Sequence, residues 1–184
     1  MLYNYCYEFS FEELKEFLDP TAVYYNNPMA DRARDLMTNL EKRHAGLYYT
    51  DFTMQDMNGK KVSLSKYVGK SRYVFVDFWA SWCGPCRGGM PNVVKAYETY
   101  KEKGLQIIGV SIDTKQDTWK KAVRELGMTW PQMSDLKGWN SAASKVYGVK
   151  SIPCKILIDP HGIIVANDLR GDKLQETLRE IFVK

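Results

Sequence analysis

The stretch Tyr73-Val74-Phe75-Val76-Asp77-Phe78-Trp79 runs into Ala80-Ser81-Trp82-Cys83-Gly84-Pro85-Cys86-Arg87, and this junction constrains the chain more than any other segment. Its first half is β-branched and aromatic, the pattern of a strand buried on both faces, and its second half opens a helical pattern. A thiol in the first turn of a helix meets unpaired backbone N–H groups and the positive end of the macrodipole, which favour thiolate over thiol. Cys83 is therefore the expected nucleophile. Cys86, three residues on along the same face, is close enough to form a disulfide with it without backbone movement. Such a pair can carry two electrons.

At 184 residues and 45% hydrophobic, the chain can bury one ordinary core with a small appendage beside it. The net charge of +4, from 26 basic and 22 acidic residues, is spread along the sequence without a basic block, so nucleic acid is not an expected partner. No apolar run approaches the roughly 20 residues needed to cross a bilayer. Met1 to Ser10 has neither the basic n-region nor the apolar h-region of a secretion signal. The four cysteines, Cys6, Cys83, Cys86 and Cys154, are too few for a disulfide-stapled scaffold.

Two segments follow from pattern. Residues 1–47 read as a helical extension: Ser10 and Glu13 make a capping box, Phe9 can staple onto Leu14, and Asp19-Pro20 stops the first helix. A second helix follows Asn27-Pro28, carries Ala33, Leu36, Met37 and Leu40 at helical spacing, and ends at Gly46. Residues 48–184 form the compact domain. Asp51 to Met54 and Val62 to Leu64, around Asn58-Gly59, predict a β-hairpin. The strand at Tyr73, a helix over about Pro85 to Lys103 and a strand over Leu105 to Ile112 make a β-α-β unit. A helix over Thr118 to Leu126, a loop through Trp130-Pro131 and a short helix over Ser141 to Tyr147 come next. Strands Lys155 to Ile158 and Ile163 to Ala166 flank the turn Asp159-Pro160-His161-Gly162, and Lys173 to Phe182 is a closing helix. The class is α/β.

Asp77 is out of place in its apolar strand. A carboxylate removed from water has a raised pKa and can accept a proton near neutral pH, so Asp77 can serve Cys86 if it lies behind it; otherwise it is a carboxylate satisfied by backbone or water. Pro153 stands just before a strong strand pattern, where proline is unwelcome in the interior. A cis peptide is one solution, although X-Pro bonds in general favour trans.

Val76 to Cys86, followed far downstream by Val149-Lys150-Ser151-Ile152-Pro153, resembles the thioredoxin superfamily. Within it, the hairpin before the first core strand and the stretch Lys101 to Asp113 resemble the TlpA/ResA-like, AhpC/TSA-type branch of exported bacterial thiol-disulfide oxidoreductases. The resemblance covers about Tyr49 to Lys184. It implies a thioredoxin-like fold, a central mixed β-sheet flanked by helices, here with an added N-terminal β-hairpin and the helical extension. By position, Cys83 matches the attacking cysteine, Cys86 the resolving one, Asp77 the buried acid and Pro153 a cis-proline facing the disulfide. Trp82, with Gly84 and Pro85 between the cysteines, flanks the site, and a substrate pairs as an extended strand with the backbone at Ile152.

The implied activity is disulfide exchange with protein thiols or disulfides, leaning to reductant because Gly84-Pro85 resembles the thioredoxin dipeptide. It needs an upstream electron donor or acceptor, no cofactor beyond the disulfide itself, and no metal. The implied setting is the periplasm or cell envelope, so the helical segment is read as an appendage or the tail of a preceding domain. Cys154, directly after the proline, departs from the family resemblance, since thioredoxins usually carry threonine or another non-thiol residue there. It is either a buried inert thiol or an alternative disulfide partner.

Three other functions are weaker. Zinc lacks a second cysteine pair, and His44 and His161 fall in a helix end and a turn. Peroxiredoxins resemble the chain around Pro91 to Asp113, but Val76 to Cys83 does not supply their Pro-x-x-x-Thr/Ser-x-x-Cys context. A peptide-binding or chaperone-like module would gain nothing from an activated cysteine pair. Trp119, Trp130 and Trp139 read as packing residues.

Overall fold

The computed structural model describes residues 9–183. In chain order its elements are α1 (Phe11–Phe17), α2 (Asp31–Leu40), β1 (Thr53–Asp56), β2 (Lys61–Ser63), β3 (Tyr73–Trp79) and α3 (Gly84–Tyr100). They continue with β4 (Leu105–Ser111), α4 (Gln116–Glu125), β5 (Gln132–Ser134), α5 (Ala142–Val146), β6 (Cys154–Ile158), β7 (Ile164–Asn167) and α6 (Gly171–Phe182).

The strands form one mixed sheet in the order β2-β1-β5-β4-β3-β6-β7. β3, β4 and β5 run parallel, which their helical crossovers α3 and α4 require. β6 returns antiparallel to β3, with Phe78 opposite Cys154 and Asp77 opposite Lys155, and β7 turns back on β6. The hairpin β1–β2 is added through β1, antiparallel to β5. Its turn closes where Asp56 Oδ1 accepts the backbone N–H groups of Asn58 and Lys60.

Alternation along β3 divides the core. Phe75 and Trp79 face a layer built by α3, α4 and α6, with Cys83, Cys86, Met90, Val93, Leu174 and Leu178. Val74, Val76 and Phe78 face the other layer, with Ile108, Val110, Tyr147, Cys154 and Ile156. Each fully buried Val, Leu, Ile or Phe here contributes roughly 1.5–3 kcal/mol. With both faces covered, β3 and β4 are almost continuously apolar.

The helical extension has its own cluster, Leu14, Leu18, Ala30, Ala33 and Leu40, with Phe9 packed on it. The capping box forms as the spacing predicts, Ser10 Oγ accepting from Glu13 N and Glu13 Oε2 from Ser10 N. Gly46 does not end the second helix: α2 stops at Leu40, and Gly46 donates its N–H to the Ile164 carbonyl, leading the chain into the sheet domain. Arg43, 5% exposed, ties the segments together by donating through Nη1 to the carbonyls of Asn39, Tyr147 and Gly148. The expected loop at Trp130-Pro131 leads directly into a strand the periodicity missed, β5.

Candidate active site

Cys83 is the N-cap of α3, and its Sγ lies 3.2 Å from the backbone N–H of Cys86, which points at it. Pro85 occupies the first turn, where its missing N–H removes no helical hydrogen bond. The two sulfurs are joined, S–S 2.04 Å with Cα atoms 5.3 Å apart. Both cysteines are buried, whereas Gly84 and Pro85 between them are exposed. Once the bond opens, the helix-start N–H groups favour charge on Cys83 Sγ, while Cys86 remains packed against the core.

The loop before β6 approaches from the other side. The Ile152–Pro153 peptide is cis, as the resemblance implies, and the Ile152 carbonyl oxygen lies 3.9 Å from Cys83 Sγ. Ile152 is half-buried and Pro153 buried, the latter's carbonyl accepting from Arg170 Nη2 at 2.8 Å. Trp82 is 57% exposed beside the disulfide.

Asp77 sits in the middle of β3, 1% exposed, on the same face as Phe75 and Trp79, the face that packs with Cys86. Neither carboxylate oxygen has a hydrogen-bond partner among the described residues. Burial pushes its pKa up from 3.8 to about 6, and Lys155, its cross-strand neighbour, holds it from rising further. Lys155 Nζ stands 3.9 Å from Asp77 Oδ1, too far for a hydrogen bond but close enough to act as a charge, and is itself buried. On the other side of Asp77 in register is Gly109. A Cβ there would meet Gln132 Oε1 at 2.1 Å, so only glycine lets Gln132 reach across to accept from Trp79 Nε1 at 3.1 Å.

The loop that leads into Cys83 is pinned by Asp113, at the end of β4. This buried carboxylate accepts from Ser81 N (2.9 Å), Ser81 Oγ (2.5 Å) and Ser111 Oγ (2.7 Å). Lys155, Gln132 and Asp113 were all missed in the sequence. The available signals were a lysine opening an otherwise apolar strand and an aspartate directly after one.

One expectation needs correction, and of the two readings of Cys154 the buried inert thiol is the one that fits. Trp119 and Trp130 are packing residues, 1% and 3% exposed, but Trp139 is 46% exposed, its ring centroid 6.2 Å from that of Trp82. Cys154 lies opposite Phe78 on the far face of the sheet from Asp77, in the other core layer. Burial pushes its thiol up to about 12, the environment of an inert sulfur rather than a third redox partner. His161 is exposed in its turn, and His44 stacks on Phe11. Cys6 lies outside the described residues.

The comparisons agree with this geometry. The AhpC/TSA family profile matches residues 46–167. A thiol-disulfide oxidoreductase ResA from Bacillus thuringiensis subsp. konkukian is 34% identical over 147 residues, covering 80% of this chain and 82% of the relative. The thioredoxin domain of a thiol-disulfide oxidoreductase from Bacteroides vulgatus is 38% identical with a TM-score of 0.69, covering 75% of this chain and 97% of that one. The C-terminal domain of a putative thiol-disulfide oxidoreductase from Bacteroides thetaiotaomicron is 30% identical with a TM-score of 0.71, covering 77% and 98%. An exchange-competent cysteine pair at a helix start, a thioredoxin-like sheet and these relatives together make the chain a thiol-disulfide oxidoreductase that belongs to the AhpC/TSA family.

Proposed function

We propose that the protein reduces disulfides of protein substrates, with Cys83 attacking, Cys86 resolving and Asp77 accepting the resolving proton. The Cys83 thiolate attacks one sulfur of the partner disulfide. A bond forms between them, and the other partner sulfur leaves as thiolate. Cys86 gives its proton to the Asp77 carboxylate and attacks Cys83 Sγ, releasing the second partner sulfur as thiolate. Two electrons pass to the partner, and the Cys83–Cys86 disulfide is left for an upstream thiol donor to reduce. The electrons reside on sulfur throughout, so no cofactor takes part.

The observation that carries this assignment is the position of Cys83 Sγ, capping α3 with the Cys86 N–H at 3.2 Å and the Ile152 carbonyl at 3.9 Å. The first contact favours the thiolate. The second leaves an extended substrate segment a backbone acceptor beside the reacting sulfur, with Trp82, Gly84, Pro85 and Pro153 around it. Gly84-Pro85 between the cysteines supports a reductant, and the family resemblance supports a cell-envelope setting. Among the described residues no helix is long and apolar enough to cross a membrane.

Equilibration against graded thiol-disulfide buffers at pH 7, with thiols counted by mass, tests the direction. A potential near roughly −250 mV or lower is expected, and one above about −180 mV would make the protein an oxidant or isomerase. A pair that does not exchange at all would leave a peptide-binding module. Protease accessibility of a tagged form in intact and opened cells tests the setting.

A further inference from the structure

Trp82 and Trp139 come from loops on different strands, after β3 and after β5, yet their indoles meet at a 60° tilt with both left largely open to solvent. Core packing does not demand this, since Trp119 and Trp130 on neighbouring elements are fully enclosed. The turn that carries Trp139 is held rather than loose. Leu136 is kept at φ +55°, rare for a branched side chain, while its N–H donates to Ser134 Oγ. Asp135 accepts from Lys137 N through Oδ1 and from Ala142 N through Oδ2. Gly138, at φ +58°, packs so closely on Thr114 that a Cβ would meet Cγ2 at 3.1 Å. The indole is presented from a frame fixed on both sides.

We propose that Trp82 and Trp139 form a subsite for an aromatic or branched aliphatic side chain of the protein substrate, within one or two residues of the cysteine under attack. The subsite deepens the proposed function and rests on it. Exchange brings a sulfur of another polypeptide into bonding distance of Cys83, and Trp82 is the residue immediately before it in the chain. The substrate backbone has its acceptor at Ile152, so side chains flanking its cysteine pass over the rim around Cys83, where the two indoles supply the large apolar surface. An indole pair also attracts cations, but both carboxylate oxygens of Asp135 in this turn already accept backbone N–H groups, and Lys137 beside it offsets its charge, so the turn offers no free anion to hold a basic substrate residue. Trp139 thus acts on selectivity, not on the sulfur chemistry.

The test uses three short peptides, identical except for Phe, Ser or Lys beside a single cysteine, each capped as a mixed disulfide with thionitrobenzoate. The reduced full chain attacks the peptide sulfur, and thionitrobenzoate leaves as a coloured thiolate that reports the rate. The expected order is Phe over Ser by about tenfold, with Lys no better than Ser. Trp139→Ala reduces the Phe-to-Ser ratio to about twofold, and Trp139→Phe recovers most of it. An unchanged ratio in Trp139→Ala overturns the subsite, as does a fall in both rates together, the mark of a merely structural role. Preference for the Lys peptide overturns the apolar assignment. A wild-type protein that releases thionitrobenzoate equally from all three peptides loses the subsite but keeps the exchange function; one that releases none loses the function itself.

Discussion

Asp77 on β3 and Lys155 on β6 are register partners across antiparallel strands, their carboxylate and ammonium 3.9 Å apart and almost wholly removed from water. The pair lies on the sheet face that packs under Cys86. It leaves Asp77 titrating at about 6, mostly ionised at pH 7 and able to take a proton from a neighbouring thiol.

The kinetic consequence is a pH limb in the second half of the reaction. Resolution of the mixed disulfide by Cys86 is expected to rise with pH through about 6 and then level, following the ionisation of Asp77. Asp77→Asn is expected to remove that limb and slow resolution by about 10²-fold at pH 7 while slowing attack by Cys83 far less. Lys155→Met removes the opposing charge and moves the limb to higher pH. Stopped-flow measurement of the two phases separates them, and unchanged resolution in Asp77→Asn would take the carboxylate out of the scheme.

The same titration sets a stability trend. The folded protein holds a proton on Asp77 that the unfolded chain releases nearer 3.8, so this contribution is fully present below about pH 4. It is lost as pH rises through 6, amounting to about 3 kcal/mol. Removing one partner alone leaves a buried charge uncompensated, at about 3–5 kcal/mol, whereas replacing both is often neutral or stabilising. With apolar replacements of similar volume, Asp77→Val/Lys155→Met is therefore expected to be at least as stable as the wild type at pH 7. Its urea-derived stability should also lack the wild-type decline between pH 4 and 6. A double variant as destabilised as either single one would show that the pair is a net source of stability.

How much of this was legible in the sequence depends on whether the signal was local. The cysteine pair, the strand before it and the Asn58-Gly59 hairpin announce themselves within a few residues, because turn chemistry and apolar runs act over that range. β5 does not: Gln132-Met133-Ser134 is too short and too polar to show a period, and it is a strand because β4 and β1 flank it. Gly46 carries the φ of a helix-ending glycine, +94°, but serves the turn into the sheet. Lys155 opens the strand expected over Lys155 to Ile158, and only the pairing of β6 with β3 sets it against Asp77. Trp139 failed for the same reason, since its neighbour Trp82 belongs to a distant part of the chain.

Asp113 offers a test of how Cys83 is held. Its carboxylate is the shared acceptor for Ser81 N, Ser81 Oγ and Ser111 Oγ, and so fixes the loop two residues ahead of Cys83 to the end of β4. Asp113→Ala leaves these donors without their buried acceptor, at a cost of about 2–4 kcal/mol. Calorimetry of the oxidised protein is expected to show a fall in Tm of about 10 °C. Asp113→Asn keeps an acceptor oxygen and should lose about half as much. No change in either variant would mean that Ser81 is held by other contacts.

The division of labour among the sulfurs gives the last prediction. Cys83 has the helix-start N–H groups and the approach past Ile152, Cys86 has the Asp77 face of the sheet, and Cys154 is buried on the opposite face with neither. Cys83→Ser is expected to abolish exchange, because no other thiol can be attacked or attack at that position. Cys86→Ser is expected to attack once and stop, accumulating a mixed disulfide on Cys83 that mass spectrometry identifies. Cys154 cannot resolve it from the far face of the sheet with its thiol raised to about 12, so Cys86→Ser/Cys154→Ala traps the same adduct in the same yield. In the reduced wild type, iodoacetamide at pH 7 labels Cys83 first and reaches Cys154 only on unfolding. Turnover near wild type in both single serine variants would sink the mechanism, and a lower yield of trapped adduct when Cys154 is present would return that cysteine to the reaction.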